Sequence, residues 1–374
     1  MRVLVSAESF GYGPITTCLN IVKELKKYDD VTLDFIGSGI ALEQAKMSNY
    51  FDKYYICDTF DSNDLEIKKE VFKQYKVYLS SENVNGAIFA LENGLNNTYY
   101  VDNLVWMWDK IPEKLNNVKK FFISETIPCK ENYERVGTDI KNPVFVGPIR
   151  ELNNDNCITE NQLIINIGGA ESFLLDHNLI VEFYNKIIND ILSTEKIKKF
   201  DSILVCGGSG VIDKIILENK NSNIKLKTLA NEEYLQEMNK SSHCIMASGL
   251  GNFIETVGKN KNIMYIPAVN YSQMLQIEYY RKERFGFSIL NWDDFEFYKK
   301  IPMYLDEVTG VDMVVDNIKK FMKKDYRNLI NDAVNKFLDN NQEKYYHVRN
   351  EYINSFEKNS ASKIAKIIYD ENKG

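Results

Sequence analysis

The run Ser248-Gly249-Leu250-Gly251-Asn252-Phe253-Ile254-Glu255 concentrates more chemistry than any other stretch of this 374-residue chain. It follows the apolar residues Cys244, Ile245, Met246 and Ala247, which read as a buried parallel strand, and it opens a helix with Phe253, Ile254 and Val257 on one side. A helix start leaves backbone N–H groups without intrahelical partners, and a turn of small residues lets a phosphate approach them. Glu255, about one turn into the helix, can accept from two adjacent ribose hydroxyls. The spacing reads as a nucleotide grip. Two further strand-like runs end in glycine turns: Leu163–Ile167 at Gly168-Gly169, and Ile203–Cys206 at Gly207-Gly208-Ser209-Gly210. Such turns also arise for backbone reasons alone, and Gly168-Gly169 has the stronger claim because it begins a second half of the chain.

Other chemistries are poorly supplied. The histidines, 177, 243 and 347, are far apart and form no metal-ligand spacing, and His177 and His243 read as structural rather than catalytic. No Asp-x-Asp occurs. Six cysteines (18, 57, 129, 157, 206, 244) include no C-x-x-C pair and read as buried thiols of a cytosolic protein. A formal charge of −7 speaks against a broad grip on nucleic acid. No apolar run approaches the roughly 18 residues that span a bilayer, and Arg2-Val3-Leu4-Val5 leaves no room for a signal peptide, so a cytoplasmic protein without membrane insertion is expected.

The elements that must position these residues alternate in type. Strand candidates in the first half are Val3–Val5, Leu33–Ile36, Tyr54–Ile56, Lys76–Leu79, Thr98–Val101 and Phe121–Ile123, with a helix at Ile15–Lys27 between the first two. A last strand in Asn142–Ile149 breaks at Gly147-Pro148 into a polar linker, Arg150–Glu160. The alternation restarts with Leu163–Ile167, a helix at Leu179–Leu192, then Ile203–Cys206, Ile224–Leu226, Cys244–Ala247, Ile263–Ile266 and Phe287–Leu290. From Val311 onward the pattern is helical, ending in Ala361–Tyr369. This predicts an α/β protein of two Rossmann-like domains, 1–148 and 149–345, followed by C-terminal helices, 346–374. The aromatic cluster Tyr99, Tyr100, Trp106 and Trp108 reads equally as core or as cleft wall, and an exposed patch around Trp106 is a possible membrane contact.

Ile165-Asn166-Ile167-Gly168-Gly169, Ser248–Glu255, Ile266-Pro267 and the helix with Gln273 and Gln276 running to Gly286 together resemble the GT-B glycosyltransferases. The second half is most similar to the branch of the peptidoglycan N-acetylglucosaminyltransferase and the UDP-glucuronosyltransferase-type enzymes. The resemblance covers roughly positions 163–290. It implies that the two domains face each other across a cleft, 1–148 taking the acceptor and 149–345 the nucleotide sugar, with the C-terminal helices packing back on the first. It also implies that Ser248, Gly249, Leu250, Gly251 and Asn252 face the diphosphate and that Glu255 bonds the ribose; the glycine turns at Gly168, Gly169 and Gly207 are expected to touch the same ligand. Gln273 or Gln276 would contact the donor sugar, a choice the spacing leaves open. It further implies inverting transfer from a nucleoside-diphosphate sugar, with uracil as the base and thymine the next choice. The nucleotide sugar is a co-substrate; no separate cofactor and no metal are expected.

One departure bears on mechanism. Related enzymes often carry Gly-His in the first glycine turn, where this chain has Gly13-Pro14, and no histidine occurs in residues 1–176. A base from the first domain must then be a carboxylate or tyrosine. Glu8, at the end of the first strand, is the best-placed candidate, with Asp102, Asp109 and Glu125 behind it. A nucleotide-sugar hydrolase or epimerase of the same fold, and a non-catalytic partner that has lost its base, are the competing readings. A nicotinamide dehydrogenase fits less well, because Gly11-x-Gly13 lacks the third glycine.

Overall fold

The computed structural model describes residues 1–150, 160–172, 174–218 and 221–373. It divides into two compact units, Met1–Leu152 with Phe356–Gly374, and Asn153–Ser355. Most of the expected linker, and Cys157, lie outside the described residues.

The first unit is built on seven parallel strands: β1 (Arg2–Ala7), β2 (Thr32–Gly37), β3 (Lys53–Ile56), β4 (Val77–Ser81), β5 (Thr98–Asp102), β6 (Lys120–Ser124) and β7 (Pro143–Val146). Their order is β3-β2-β1-β4-β5-β6-β7. Parallel strands covered on both faces are written as continuous apolar runs rather than alternating ones, which is why short runs such as Val3-Leu4-Val5 were legible as strands. The chain leaves β1 toward one side of the sheet and enters β4 on the other, so the strand order reverses between β1 and β4. In open α/β sheets the crevice at the carboxyl ends of such a pair is where ligands bind.

The second unit repeats the plan with β8 (Glu160–Asn166), β9 (Ser202–Cys206), β10 (Ile224–Lys227), β11 (Ser241–Ala247), β12 (Asn262–Ile266) and β13 (Ser288–Ile289), in the order β10-β9-β8-β11-β12-β13. Its switch point falls between β8 and β11, whose paired residues include Asn166 and Met246.

The helices after residue 345 divide between the units. Tyr346–Asn354 is held to the second: the buried Arg349 donates to the carbonyls of Phe285 (2.7 Å) and Lys261 (2.9 Å) and to Gln342 Oε1 (2.6 Å), and stacks over Phe287. Ser360–Asp370 belongs to the first, where Ile364, Ala365 and Ile368 join the core formed by Ile15, Cys18, Leu19 and Val22 of the helix Gly13–Leu25. Burying each such isoleucine is worth about 1.5–3 kcal/mol. Where the sequence suggested one C-terminal block from 346, the anchor at Arg349 keeps the chain with the second unit through Ser355.

The aromatic cluster is core. Tyr99, Tyr100 and Trp106 are all buried, and the half-buried Trp108 donates its Nε1–H to Asp102 Oδ2 at 3.0 Å. With Trp106 4% exposed, the suggested membrane-touching patch is absent there. No helix among the described residues is long and apolar enough to cross a membrane.

Candidate nucleotide site and carboxylate row

The turn after β11 brings the strongest sequence motif to the switch point of the second unit. Gly249 is the N-cap of the helix Leu250–Val257, with φ −60° and ψ 148°, and no side chain caps the helix. The first-turn amides of Leu250, Gly251 and Asn252 therefore form the donor set that a helix start offers an anion. A methyl group on Gly249 would meet only Gln273 Nε2, at 3.9 Å.

The turn is held from three directions. Ser248 is buried and its Oγ–H donates to the Gln273 carbonyl at 3.2 Å, so its hydroxyl fastens the turn to the next helix. Tyr280 Oη–H donates to the Ser248 carbonyl at 3.2 Å. Asn252 Nδ2 reaches back to the Ala247 carbonyl at 2.9 Å. Asn252 Oδ1 in turn accepts from Asn166 Nδ2 at 2.9 Å, and Asn166 Oδ1 accepts from the Gly168 amide at 2.8 Å. One pair of asparagines thus locks the glycine turn after β8 to the helix after β11. Asn166 lay inside the sequence motif, but its role was not legible; the only signal was a polar residue ending an apolar strand.

Gly168 has φ +66°, a conformation that costs an L-residue roughly 1–2 kcal/mol, and a Cβ there would face open space. Gly207 is required for a different reason: a Cβ would sit 2.3 Å from Ile167 Cγ1 and 2.8 Å from the Gly168 carbonyl. Gly207 therefore permits close approach of the β8 and β9 turns, and the Gly208 amide donates to that carbonyl at 3.0 Å. Gly169 is buried behind the same turn.

Glu255 lies on the helix Leu250–Val257, 8% exposed, close enough to Tyr234 for its charge to add to the burial that holds the phenol protonated. Of the two glutamines on the helix Tyr271–Lys282, Gln273 has its Nε2 beside Gly249, while Gln276 is buried with its Oε1 unpartnered among the described residues. Gly168, Gly169, Gly207, Ser248 to Asn252 and Gln273 thus lie at or beside the carboxyl ends of the adjacent strands β9, β8 and β11.

Glu8 lies in the other unit, following β1, and its Oε1 accepts from the Ser9 amide at 2.8 Å. The register places it in a row. Ala7 pairs with Ser81 and Ser81 with Val101, so Glu8, Glu82 and Asp102 follow one another across the carboxyl ends of β1, β4 and β5. Burial, and then the Asp102 charge, push the Glu82 carboxyl up to about 8; burial pushes Asp102 up to about 6 against the opposing hydrogen bonds from Leu104 and Trp108. Glu82 had no sequence signal beyond its place after Val77–Ser81. Asp109 and Glu125 stand outside the row, half-buried.

His177 lies against the β9 turn, its Cε1 3.3 Å from where a Cβ on Gly210 would stand. His243, near the start of β11 and wedged between Phe200 and Phe337, stands about 16 Å of strand from the turn at Ser248 and is held near 4 by burial. His177 pairs with Lys214 Nζ at 2.6 Å. No group of three or more potential ligands that could hold a metal occurs among the described residues.

No protein-family model and no curated protein matches the sequence. Among solved structures, the chain is similar to Acinetobacter baumannii MurG, with TM-score 0.54 and 11% identity over 99% of each chain. It is similar to Phytolacca americana UGT2 complexed with UDP-2fluoro-glucose and pterostilbene, with TM-score 0.57 and 10% identity over 99% of each chain. It is also similar to S. aureus MnaA in its UDP co-structure, with TM-score 0.56 and 12% identity over 99% of this chain and 97% of that one. The two parallel sheets and these similarities together give the chain the GT-B fold that its sequence resembled.

Proposed function

We propose that this protein is a glycosyltransferase that moves a sugar from a UDP-sugar to a small hydroxylated acceptor, with inversion and without a metal ion. The observation that carries the reading is the uncapped helix start at Gly249, set at the switch point of the second sheet and braced by Asn166 and Asn252. Its amides and dipole would hold the diphosphate in the substrate and favour the charge that grows on it as the glycosidic bond breaks. Glu255 would bond the ribose and Gln273, beside Gly249, the sugar. The UDP-2fluoro-glucose and pterostilbene complexed with UGT2, and the UDP with MnaA, support the donor and acceptor classes. The first unit would receive the acceptor, with a carboxylate of the row containing Glu8 taking its proton.

A hydrolase or epimerase remains the second reading, because a carboxylate row can activate water as readily as an acceptor. Incubation with a panel of radiolabelled nucleotide sugars, with and without cell extract and with and without EDTA, separates the readings. Transfer that needs extract and survives EDTA is expected. Acceptor-free turnover selects the hydrolase or epimerase; rescue by magnesium or manganese overturns metal independence; no turnover of any donor overturns the assignment.

A further inference from the structure

Glu82 is an unusual residue to find where it is. Its φ of +56° places a side-chain-bearing residue in the left-handed region, between the end of β4 and the N-cap Asn83, a position where glycine would be free of strain. Its amide is committed to the Val101 carbonyl at 2.9 Å and its carbonyl accepts from the Val84 amide at 3.0 Å. The backbone is thus fixed, and what the strain secures is the placement of the carboxylate. Strained non-glycine residues held by their surroundings recur at functional sites.

The carboxylate is itself held. Asn103 Nδ2 donates to Glu82 Oε1 at 2.5 Å and to Thr17 Oγ1 at 3.1 Å, and Thr17 Oγ1 also accepts from Arg150 Nη1 at 3.1 Å. Asn103 thus ties the carboxylate to Thr17 of the helix Gly13–Leu25, and Arg150, bonded to the same Thr17, adds its positive charge. Asn103 can donate to the carboxylate but offers it no competing acid, while Asp102 beside it disfavours a second negative charge. Glu8, by contrast, folds its carboxylate back on the next amide of its own chain.

We propose that Glu82, rather than Glu8, is the general base of the first unit: it takes the proton from the acceptor hydroxyl. Resting on the transferase reading above, the step balances simply. The acceptor oxygen forms a bond to the anomeric carbon, its proton passes to a Glu82 oxygen, and the bond from that carbon to the diphosphate breaks with its electron pair leaving on UDP. The protonated Glu82 then returns its proton to solvent. A carboxyl held near 8 is matched to this work at neutral pH; burial and then the Asp102 charge raise it, against the lowering pull of Asn103 and Arg150.

The test begins with the donor that the wild-type protein turns over; if it turns over none, the transferase reading fails on its own account. Glu82→Gln should lower kcat by about 10²–10⁴ while UDP affinity, read by calorimetry, stays unchanged because that site lies in the other unit. Asp109→Asn, at a half-buried position outside the carboxylate row, should keep turnover within a few-fold. The wild-type kcat should rise with pH toward about 8 and level off. Near-normal turnover of Glu82→Gln, or loss on Glu8→Gln in its place, overturns the proposal. Should Glu82→Gln misfold, shown by a collapsed circular-dichroism spectrum or thermal transition, the wild-type profile decides: a kcat flat from pH 6 to 9 refutes the assignment.

Discussion

Gly249→Ala separates the fold from the proposed ligand site more cleanly than any other substitution. Gly249 has φ −60° and ψ 148°, ordinary values for alanine, and the added methyl would meet only Gln273 Nε2 at 3.9 Å. The protein should therefore lose little stability: alanine is a poorer N-cap than glycine, and the cost is about 0.5–1 kcal/mol. The methyl group would, however, stand where a diphosphate must approach the amides of Leu250, Gly251 and Asn252. Losing one or more charge-assisted hydrogen bonds costs about 1.5–3 kcal/mol, a weakening of UDP binding by roughly tenfold to more than a hundredfold. Calorimetry with UDP, alongside a thermal melt, reads both quantities. The contrast is with Gly207→Ala, whose Cβ would overlap Ile167 and the Gly168 carbonyl, so that stability and binding should fall together. If Gly249→Ala binds UDP like the wild type while its melt is unchanged, the phosphate is not held at this helix start.

Glu255→Ala should weaken UDP binding by about 1.5–3 kcal/mol through loss of the ribose bonds, and calorimetry showing an unchanged Kd with the fold intact would remove it from the site. His243 gives a pH dependence. Its folded value near 4 lies below the ordinary 6.5, so the unfolded chain binds the proton first; the stability it contributes is complete above about 6.5 and lost as pH falls through about 4. A denaturant titration series from pH 7 to 4 should show this decline flattened in His243→Phe, and equal slopes in both proteins would refute the role.

The sequence by itself determined the alternation of strands and helices and the helix start at Gly249. Doubly covered parallel strands must be continuously apolar, and a helix following a small-residue turn exposes its amides whatever surrounds it. It could also name Glu8, because the end of a first strand is a local property. The tertiary structure alone decided that Gln273 rather than Gln276 lies beside Gly249, since two residues on one helix three positions apart differ only in what packs against them. It alone turned Tyr99, Tyr100 and Trp106 into core. It alone moved the helix Tyr346–Asn354 to the second unit, through a buried guanidinium whose partners lie 64 and 88 residues away in the chain. And it alone set Glu8, Glu82 and Asp102 side by side, because strand register is fixed by pairing between segments tens of residues apart, and burial and a neighbouring charge then raise a carboxyl that sequence shows only as one more glutamate.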